Sequence, residues 1–529
     1  MVVPELRAWR AARPHLVRVA HAVRPRVARL SGVVKPHVTR VAHAVRPRSG
    51  GLTTQQLTAV AATVGLALAA GAVTVAGPWD STGQRTAEHD RATVRDREGG
   101  ADHGPRAGAA AGEPAPAPSA AAVLTGLGGG ANAPGSAPRG KVLADVLDPL
   151  LRDAALGARR SAAVVDVTTG TRLYGKGADD PLTPASTTKI ATAVAVLSAA
   201  GPDHRLTTRA VLEPGTRELV LVGGGDPTLT ARKQAGGWAG LRTLADRTAV
   251  ALKRRHLTSV TLSYDTSLFK GGALHPIGIN PNLAPVTALM ADEGRTDGST
   301  SGPAARTADP AADATRTFGD LLRDRGITTS APGPSKATRR AQTLAFVQSP
   351  PLSAVVERML TTSDNDIAEA LARQTALATG GQPTFEGGAA AITTRLKRLG
   401  LPLAGARFHD GSGLDRNDRL TAHLLTALLA LAGSPSHPEL RPVLTGLPVA
   451  GFTGTLSQRY EDAATRPGIG LVRAKTGSLT GVNTLAGTVV DTDGRLLAFA
   501  FLTGGSMDPT TARAALDRTA AALADCGCR

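Results

Sequence analysis

The chain has 529 residues, enough for two or three domains with a sizeable core, and its two cysteines are too few for a disulfide-stabilised scaffold. Its formal net charge is +17, but residues 1–51 alone carry +10, so the remaining 478 residues carry only +7. A folded domain that is basic throughout, as in many nucleic-acid-binding proteins, is therefore not indicated.

Residues 1–51 form a basic arm that contains a repeat with a period of 22 residues. Arg13–Arg26 reads RPHLVRVAHAVRPR, and Lys35–Arg48 reads KPHVTRVAHAVRPR. Prolines in both copies limit any helix to about two turns. A basic segment of this kind can bind nucleic acid, but the apolar stretch that follows it favours contact with anionic lipid. Anionic lipid is the expected partner, and nucleic acid is the less favoured alternative.

Residues 52–78 are predicted to form a transmembrane anchor. No charged residue occurs between Ser49 and Trp79, and Leu57–Gly77 is almost entirely Ala, Val, Leu and Gly. As a helix, these 21 residues would extend about 31 Å, the thickness of the hydrocarbon core of a bilayer. The basic flank predicts a cytoplasmic N-terminus with everything after Trp79 outside. Cleavage near Ala76, which would release a secreted protein, remains the alternative.

Residues 79–139 are predicted to be a disordered linker. Ala, Gly and Pro make up 28 of the 40 residues 101–140, a composition that buries too little apolar surface to offset the entropy of ordering.

From residue 140 onward the pattern is that of an α+β domain. Apolar residues at helical spacing predict a helix over Lys141–Leu156. Strands are predicted near both ends of this region, and helices between them, which indicates one antiparallel sheet closed by N- and C-terminal segments. The predicted strands are Ser161–Asp166, Thr171–Tyr174, Leu471–Lys475, Thr484–Asp491 and Leu496–Thr503.

The first chemically informative string is Ser186-Thr187-Thr188-Lys189, at the start of an apolar helix that continues over Ile190–Ala200. A serine in the first turn lies where unpaired amides and the helix dipole favour negative charge. A lysine three residues later can reach the same face and remove the proton from Ser186. Its amine can act as a base only if its pKa falls, and we expect burial beside a second cation, Lys475, to lower it.

Two further strings complete the set. Ser363-Asp364-Asn365 lies between predicted helices, where Ser363 could pass a proton and Asn365 could orient Lys189, although Asp364 could equally be a simple helix cap. Lys475-Thr476-Gly477-Ser478 follows the apolar strand Leu471–Ala474. Its lysine and hydroxyls suit a substrate carboxylate, and Gly477 would let a substrate backbone approach.

Each string alone is weak evidence for a function, but their order along the chain is informative. Two of the chain's only ten lysines, Lys189 and Lys475, lie at the positions that these strings require. The strings are those of penicillin-binding proteins and class A β-lactamases. Further strings make the chain resemble the D-alanyl-D-alanine carboxypeptidase/endopeptidase family of low-molecular-mass class C penicillin-binding proteins (serine peptidase family S13). These strings are Gly223–Leu229 (GGGDPTL), Ala284–Leu289 (APVTAL), His409–Leu414 (HDGSGL) and Ala450–Leu456 (AGFTGTL).

The resemblance implies a penicillin-binding-protein/β-lactamase-like transpeptidase domain over residues 140–204 and 341–529, with an inserted subdomain over 205–340. Here 173 residues separate Lys189 from Ser363, fewer than in the best-known members, which leaves substrate range open more than chemistry. We interpret the loop at Asp410–Leu414 as structural.

The function expected from this resemblance is that of a membrane-tethered, extracytoplasmic serine D-Ala-D-Ala carboxypeptidase/endopeptidase that also binds β-lactams. The predicted catalytic residues are Ser186, Lys189, Ser363, Asn365 and Lys475, and the predicted substrate-binding residues are Thr476, Gly477 and Ser478. No metal or organic cofactor is expected. A β-lactamase-like hydrolase that uses Glu369 or Glu357 for deacylation, and a catalytically silent envelope scaffold, are the alternatives.

Overall fold

A computed structural model describes residues 140–526. The predicted basic arm (1–51), membrane anchor (52–78) and linker (79–139) lie outside these described residues. Within residues 140–526, no helix is both long and apolar enough to cross a bilayer.

The described region contains two sheets and a set of surrounding helices. The helices are α1 (Gly140–Leu151), α2 (Thr188–Ala200), α3 (Leu241–Lys253), α4 (Pro310–Arg323), α5 (Leu352–Thr362), α6 (Asn365–Ala378), α7 (Phe385–Arg398), α8 (Ala422–Gly433), α9 (Arg441–Thr445) and α10 (Pro509–Ala524). The strands are β1 (Arg159–Asp166), β2 (Arg172–Lys176), β3 (Thr207–Leu212), β4 (Glu218–Val222), β5 (Ser259–Asp265), β6 (Thr328–Thr329), β7 (Gly333–Pro334), β8 (Gln342–Gln348), β9 (Arg473–Leu479), β10 (Val482–Val490) and β11 (Leu496–Gly504).

The first sheet has the order β2-β1-β11-β10-β9, and all its neighbours are antiparallel. It joins β1 and β2 from the start of the described region to three strands from its end. This confirms the prediction of an antiparallel sheet closed by N- and C-terminal segments.

Helices cover both faces of this sheet because β11 is apolar on both sides. Successive side chains of a strand point to opposite faces. Phe499 and Phe501 therefore pack with α1 and α10 in one buried cluster, whereas Ala498 and Ala500 pack with α2, α5 and α8 in another. Among these helices, α8 packs directly against β1 and β11.

The second sheet belongs to the predicted insert and is mixed rather than antiparallel. Its order is β6-β5-β4-β3-β8, with β7 also paired to β5, and the β4–β5 pair is parallel. Helices α3 and α4 pack against it in a third buried cluster. Because β8 pairs with β3, this sheet continues past residue 340, where the sequence predicted a return to the peptidase domain.

Several element boundaries differ slightly from prediction, and two differ by more than two residues. Helix α1 ends at Leu151, and Asp153 caps a separate short turn over Ala154–Leu156. The string that begins at Lys475 lies inside β9 rather than at the end of a strand. The reason is that its backbone stays paired with β10, from Lys475 opposite Ala486 to Ser478 opposite Asn483.

The close packing between β9 and β10 can be tested by a substitution at Gly487. A Cβ atom at Gly487 would lie 2.0 Å from the carbonyl oxygen of Arg473, so Gly487→Ala must displace strand β9. We expect it to lower the free energy of unfolding by about 1–3 kcal/mol, measured by thermal and urea denaturation. Gly333→Ala is the matched control, since a Cβ atom there meets nothing within 4 Å. Equal stability of the two variants would contradict the packing described.

Candidate active site

Ser186 lies in a short 3-10 turn, Ala185–Thr187, that leads directly into α2. Ala185 has a φ of 47°, in the left-handed region that non-glycine residues rarely adopt. The packing of Gly413 holds this turn, since a Cβ atom there would lie 1.9 Å from the carbonyl oxygen of Ala185. Strained backbone of this kind persists only where its surroundings enforce it.

The amine of Lys189 lies at the centre of the site. Its Nζ atom is 2.9 Å from Ser186 Oγ, 2.7 Å from Asn365 Oδ1 and 2.7 Å from the carbonyl oxygen of Ser412. The side chain is fully buried. An ammonium group has three donors, and these three acceptors match them. When the amine is neutral, its lone pair can accept the proton of Ser186.

Burial lowers the pKa of Lys189 to about 8, against the opposing effect of the carboxylates of Asp410 and Glu369. The pKa of Lys475 lies well below its usual value, first because of burial and then because of the charge on Lys189. We expected Lys475 to be the cation that depresses the pKa of Lys189. Burial, which we also expected, is the main cause of the lowered Lys189 pKa, and repulsion between two ammonium groups disfavours the charge on both.

The Ser363-Asp364-Asn365 string forms the joint between α5 and α6. Ser363 adopts the left-handed conformation that ends α5, and its Oγ accepts a hydrogen bond of 2.8 Å from Lys475 Nζ. Asp364 caps α6 by accepting from the amide of Ile367. Both interpretations of this string therefore hold. Asp364 caps a helix, while Ser363 and Asn365 on either side of it contact the two buried lysines.

Strand β9 presents the third string at the cleft. Lys475 Nζ also donates to the carbonyl oxygen of Thr476, at 2.8 Å, and Thr476 Oγ1 donates to Thr455 Oγ1, at 2.9 Å. A Cβ atom at Gly477 would lie 2.1 Å from Thr484 Oγ1 and 2.8 Å from the carbonyl oxygen of Pro184. A side chain at Gly477 would therefore collide with β10 and with the turn before Ser186, and the expected approach of a substrate backbone at Gly477 stays a prediction.

Four of the eight predicted site residues line one recess of about 250 Å³, whereas Thr476 and Gly477 are not among the described residues that line it. Ser186, Ser363, Asn365 and Ser478 line it, while the two lysines lie buried beneath them. Other lining residues that the sequence did not single out are Asn282, Arg295, Gly302, Pro303, Arg306, Thr362, Asp366, Leu414 and Leu479.

The insert holds the Ser363–Asp366 segment in place. Asn365 Nδ2 donates to the carbonyl oxygen of Asn282 at 2.9 Å. Asp366 accepts from the amide of Ala284 at 2.9 Å and forms a 2.8 Å ion pair with Arg306. Sequence reasoning missed these contacts. The string at Ala284 was noted as family-like, but nothing in it identifies Asp366 as its partner.

The loop at Asp410–Leu414 supplies an acceptor for Lys189 and is itself held by Glu369. The buried carboxylate of Glu369 accepts from the amides of Gly411 and Ser412, the latter at 2.8 Å. This aims the carbonyl of Ser412 at the lysine. The loop is structural, as interpreted from the sequence, and it also contacts the catalytic amine directly.

A second tether joins this loop to the insert through His275. Its Nε2 atom lies 3.1 Å from Asp410 Oδ2, and both side chains are buried. Burial alone would raise the pKa of Asp410, but hydrogen bonds from His275, from Asp418 and from the amides of Gly413 and Asp415 hold it at about 2. Asp410 is therefore ionised wherever the protein is folded at ordinary pH.

The two carboxyl groups considered as deacylation bases lie elsewhere. Glu369 points at the backbone of the 410–414 loop, and Glu357 bonds Thr445. Among the contacts that the structure describes for residues 140–526, neither carboxylate touches Ser186.

Two buried groups could offer three ligand atoms to a metal ion: His275, Glu369 and Asp410, and Glu293, Asp364 and Asp366. Their carboxylates are already engaged by backbone amides, by His275 or by arginines. The expectation that no metal is needed stays a prediction.

The fold and the site together define a serine acyl-transfer enzyme of the penicillin-recognising type: a helix that presents Ser-x-x-Lys beside an antiparallel sheet whose edge strand carries Lys-Thr-Gly. The D-Ala-D-Ala carboxypeptidase 3 (S13) family matches residues 143–305 and 295–523. The chain belongs to this family.

Known relatives agree with this membership. A carboxypeptidase of Mycobacterium tuberculosis is 38% identical over 376 residues, which cover 69% of this chain and 80% of the relative. A D-alanyl-D-alanine carboxypeptidase of Actinomadura is 31% identical and covers 69% of this chain and 82% of its own. The crystal structure of penicillin-binding protein 4 from Haemophilus influenzae shares the fold, with a TM-score of 0.59 at 22% identity over 72% of this chain and 98% of that one.

The pH dependence of Ser186 acylation tests the role of Glu369. Only neutral Lys189 can accept a proton, so we expect the acylation rate with a fluorescent penicillin to rise with pH around an apparent pKa of about 8. Glu369 carries a charge that raises the pKa of Lys189. Glu369→Gln should therefore shift this rise to lower pH.

Glu357→Gln is the matched control, because Glu357 contacts Thr445 and is not among the charges that shift the pKa of Lys189. An unchanged pH profile in Glu369→Gln would show that Glu369 does not act on the catalytic amine.

Proposed function

We propose that this chain is a serine D-Ala-D-Ala carboxypeptidase/endopeptidase that acts on peptidoglycan stem peptides and cross-links through an acyl-enzyme at Ser186. One observation carries the proposal. Two buried lysines contact two serines in a single cleft, with Lys189 bonded to Ser186 and Lys475 bonded to Ser363.

In the acylation step, neutral Lys189 accepts the hydroxyl proton of Ser186 while Oγ attacks the carbonyl carbon between the two D-alanines. The amides of Ser186 and Ser478 stabilise the oxyanion, at about 2.7–4 kcal/mol for each donor. The C–N bond then breaks, and the leaving nitrogen takes a proton from Ser363, which Lys475 replenishes. Asn365 holds Lys189 in position throughout.

Before deacylation, the proton that Lys189 took from Ser186 passes to Lys475, so that Lys189 is neutral and Lys475 protonated again. Water then attacks the ester and gives a proton to Lys189, which passes it to the departing Oγ of Ser186 as the shortened peptide is released. Thr476 and Ser478 provide hydroxyls for the substrate carboxylate on the cleft side of β9. The chemistry uses side chains of this chain alone and calls for no cofactor.

Family membership and relatives named as carboxypeptidases support this activity. A β-lactam mimics the D-Ala-D-Ala carbonyl, and a structure of the same H. influenzae penicillin-binding protein, at a TM-score of 0.55, is a complex with a β-lactam. We therefore include β-lactam binding at Ser186 in the proposal.

The alternatives are less well supported. A β-lactamase needs a base that activates water rapidly, and Glu369 instead serves the backbone of the 410–414 loop. A silent scaffold would be expected to lose contacts in the cleft, whereas Lys189 bonds both Ser186 and Asn365, and Lys475 bonds Ser363.

We further propose that residues 52–78 anchor the protein in the cell membrane, with residues 1–51 in the cytoplasm near anionic lipid and the catalytic domain outside. The uncharged stretch and its basic flank support this orientation. So does the substrate, because peptidoglycan lies outside the membrane. Release by cleavage of the anchor is the alternative.

Labelling with a fluorescent penicillin tests the proposed chemistry. Wild type should form a covalent adduct, and Ser186→Ala should form none because the attacking oxygen is gone. Lys475→Ala retains Ser186, but its Ser186 should be acylated at least about 100-fold more slowly, because general acid–base catalysis contributes factors of this size. The control, Ser436→Ala, removes an exposed hydroxyl outside the cleft. Absence of wild-type label, or label on Ser186→Ala, would contradict the proposal.

Cell fractionation tests the anchor. The full chain should stay in the membrane pellet through an alkaline carbonate wash, because a spanning helix is not released by disrupting charge contacts. Deletion of residues 52–78 should move the protein out of the pellet, whereas deletion of 1–51 should leave it there. Carbonate release of the full chain would rule out a spanning anchor.

A further inference from the structure

A second recess, of about 340 Å³, opens next to the catalytic one. Thr362 and Arg295 line both recesses, so the two are adjacent. The second recess is otherwise built mostly from the insert, with Trp238 and Arg232 on its walls, and α5 contributes Arg358.

The contacts of α5 indicate which end of a substrate faces this recess. A substrate lying antiparallel to β9 places its leaving group toward Thr476 and its acyl portion toward Leu479. Thr476 bonds Thr455, and a Cβ atom at the neighbouring Gly454 would lie 2.1 Å from the carbonyl oxygen of Thr361. The C-terminal end of α5 therefore borders the leaving-group end of the cleft.

The lining of the two recesses agrees with this direction. Asn365, Leu414, Ser478 and Leu479 line the catalytic recess. None of these four is among the residues of the described region that line the second recess, whereas Thr362, just before the proton-donating serine, is. A chain that left the cleft past Thr362 would enter the second recess.

The chemistry of the second recess suits an anionic peptide. Its three guanidinium groups face two carboxylates: Arg232 pairs with Asp292 at 2.9 Å, and Arg295 and Arg358 both pair with Glu293. The buried carboxylates of Asp364 and Asp366 also lie beside Glu293, so the group that can receive a carboxylate is the Arg358 guanidinium itself rather than a net charge of the recess. The guanidinium of Arg358 is partly exposed and lies 4.9 Å above the ring of Trp238, which leaves an arginine on an aromatic wall at the recess. Arginine binds carboxylates through paired donors.

We propose that this recess binds the leaving peptide of a cross-link, a peptidyl amine that carries carboxylates, and so equips the enzyme for endopeptidase cleavage. The inference rests on the proposed function and adds a leaving-group subsite to it. The attack at Ser186 breaks the same C–N bond in either activity. In a carboxypeptidase reaction the departing nitrogen belongs to free D-alanine, which is small and needs no second recess. In an endopeptidase reaction it belongs to a second stem peptide, whose chain must continue out of the cleft.

The test compares three rates in each variant of the full-length protein: acylation by a fluorescent penicillin, release of D-alanine from a monomeric pentapeptide, and cleavage of a purified cross-linked peptide dimer. Arg358→Gln removes the charge at the recess and should lower kcat/KM for the dimer about tenfold or more, the size of a charge-assisted hydrogen bond. The two other rates should stay within about twofold, since Arg358 does not contact Ser186 or Lys189.

A second variant avoids disturbing the ion pair with Glu293. Thr300 is exposed and lines the recess, so Thr300→Trp should obstruct the recess while leaving its buried charges intact. It should reduce dimer cleavage and spare pentapeptide cleavage. The matched control is Arg316→Gln, which removes an exposed arginine paired only with Asp313, and all three of its rates should equal those of wild type.

The outcomes separate this inference from the proposed function. If wild type neither takes the penicillin nor cleaves either peptide, the proposed function itself fails. If wild type is active but both recess variants lose dimer and pentapeptide cleavage in equal proportion, or lose neither, the leaving-group subsite is refuted. Selective loss of dimer cleavage in both variants supports it.

Discussion

The catalytic cleft depends on a single buried amine, the Nζ atom of Lys189. Burying an ammonium group is costly unless each of its donors finds an acceptor. Here the acceptors come from three separate parts of the chain: Ser186 from the turn before α2, Asn365 from the first turn of α6, and a backbone carbonyl at Ser412. A single lysine therefore requires three elements to converge. Its depressed pKa, which makes it a base, follows from the same burial.

Each of those elements is fixed in turn by something outside the three catalytic strings. Asn365 is held by the insert through the carbonyl of Asn282, and Ser412 is held by Glu369. The turn at Ser186 is enclosed by Gly413 and Gly477, where side chains would collide with it. The insert therefore helps to position the residues of the proposed catalytic cleft. Its loss would free the amide of Asn365 and leave Asp366 buried without Arg306.

What the sequence could predict was local in character. The spacing of Ser186 and Lys189 follows from helix geometry, and the antiparallel sheet follows from strands placed at the two ends of the folded region. The acceptor at Ser412 could not be predicted, because any residue has a backbone carbonyl and only the tertiary fold aims one at an amine. The mixed sheet of the insert, and the contact of Asp366 with Arg306, depend on pairings between distant segments that one sequence does not reveal.

The separate serine partners of the two lysines give the proposed reaction a direction. Both amines are buried in one cleft, and the charge on Lys189 further depresses the pKa of Lys475. Lys189 bonds Ser186 and so suits removal of the serine proton, while a protonated Lys475 bonds Ser363 and suits donation through it to the leaving nitrogen. A substrate carboxylate bound beside Thr476 would favour the protonated form of Lys475. Substrate binding would thus favour protonation of Lys475, the acid that the leaving nitrogen requires. The proton relay would then be complete only when the cleft is occupied.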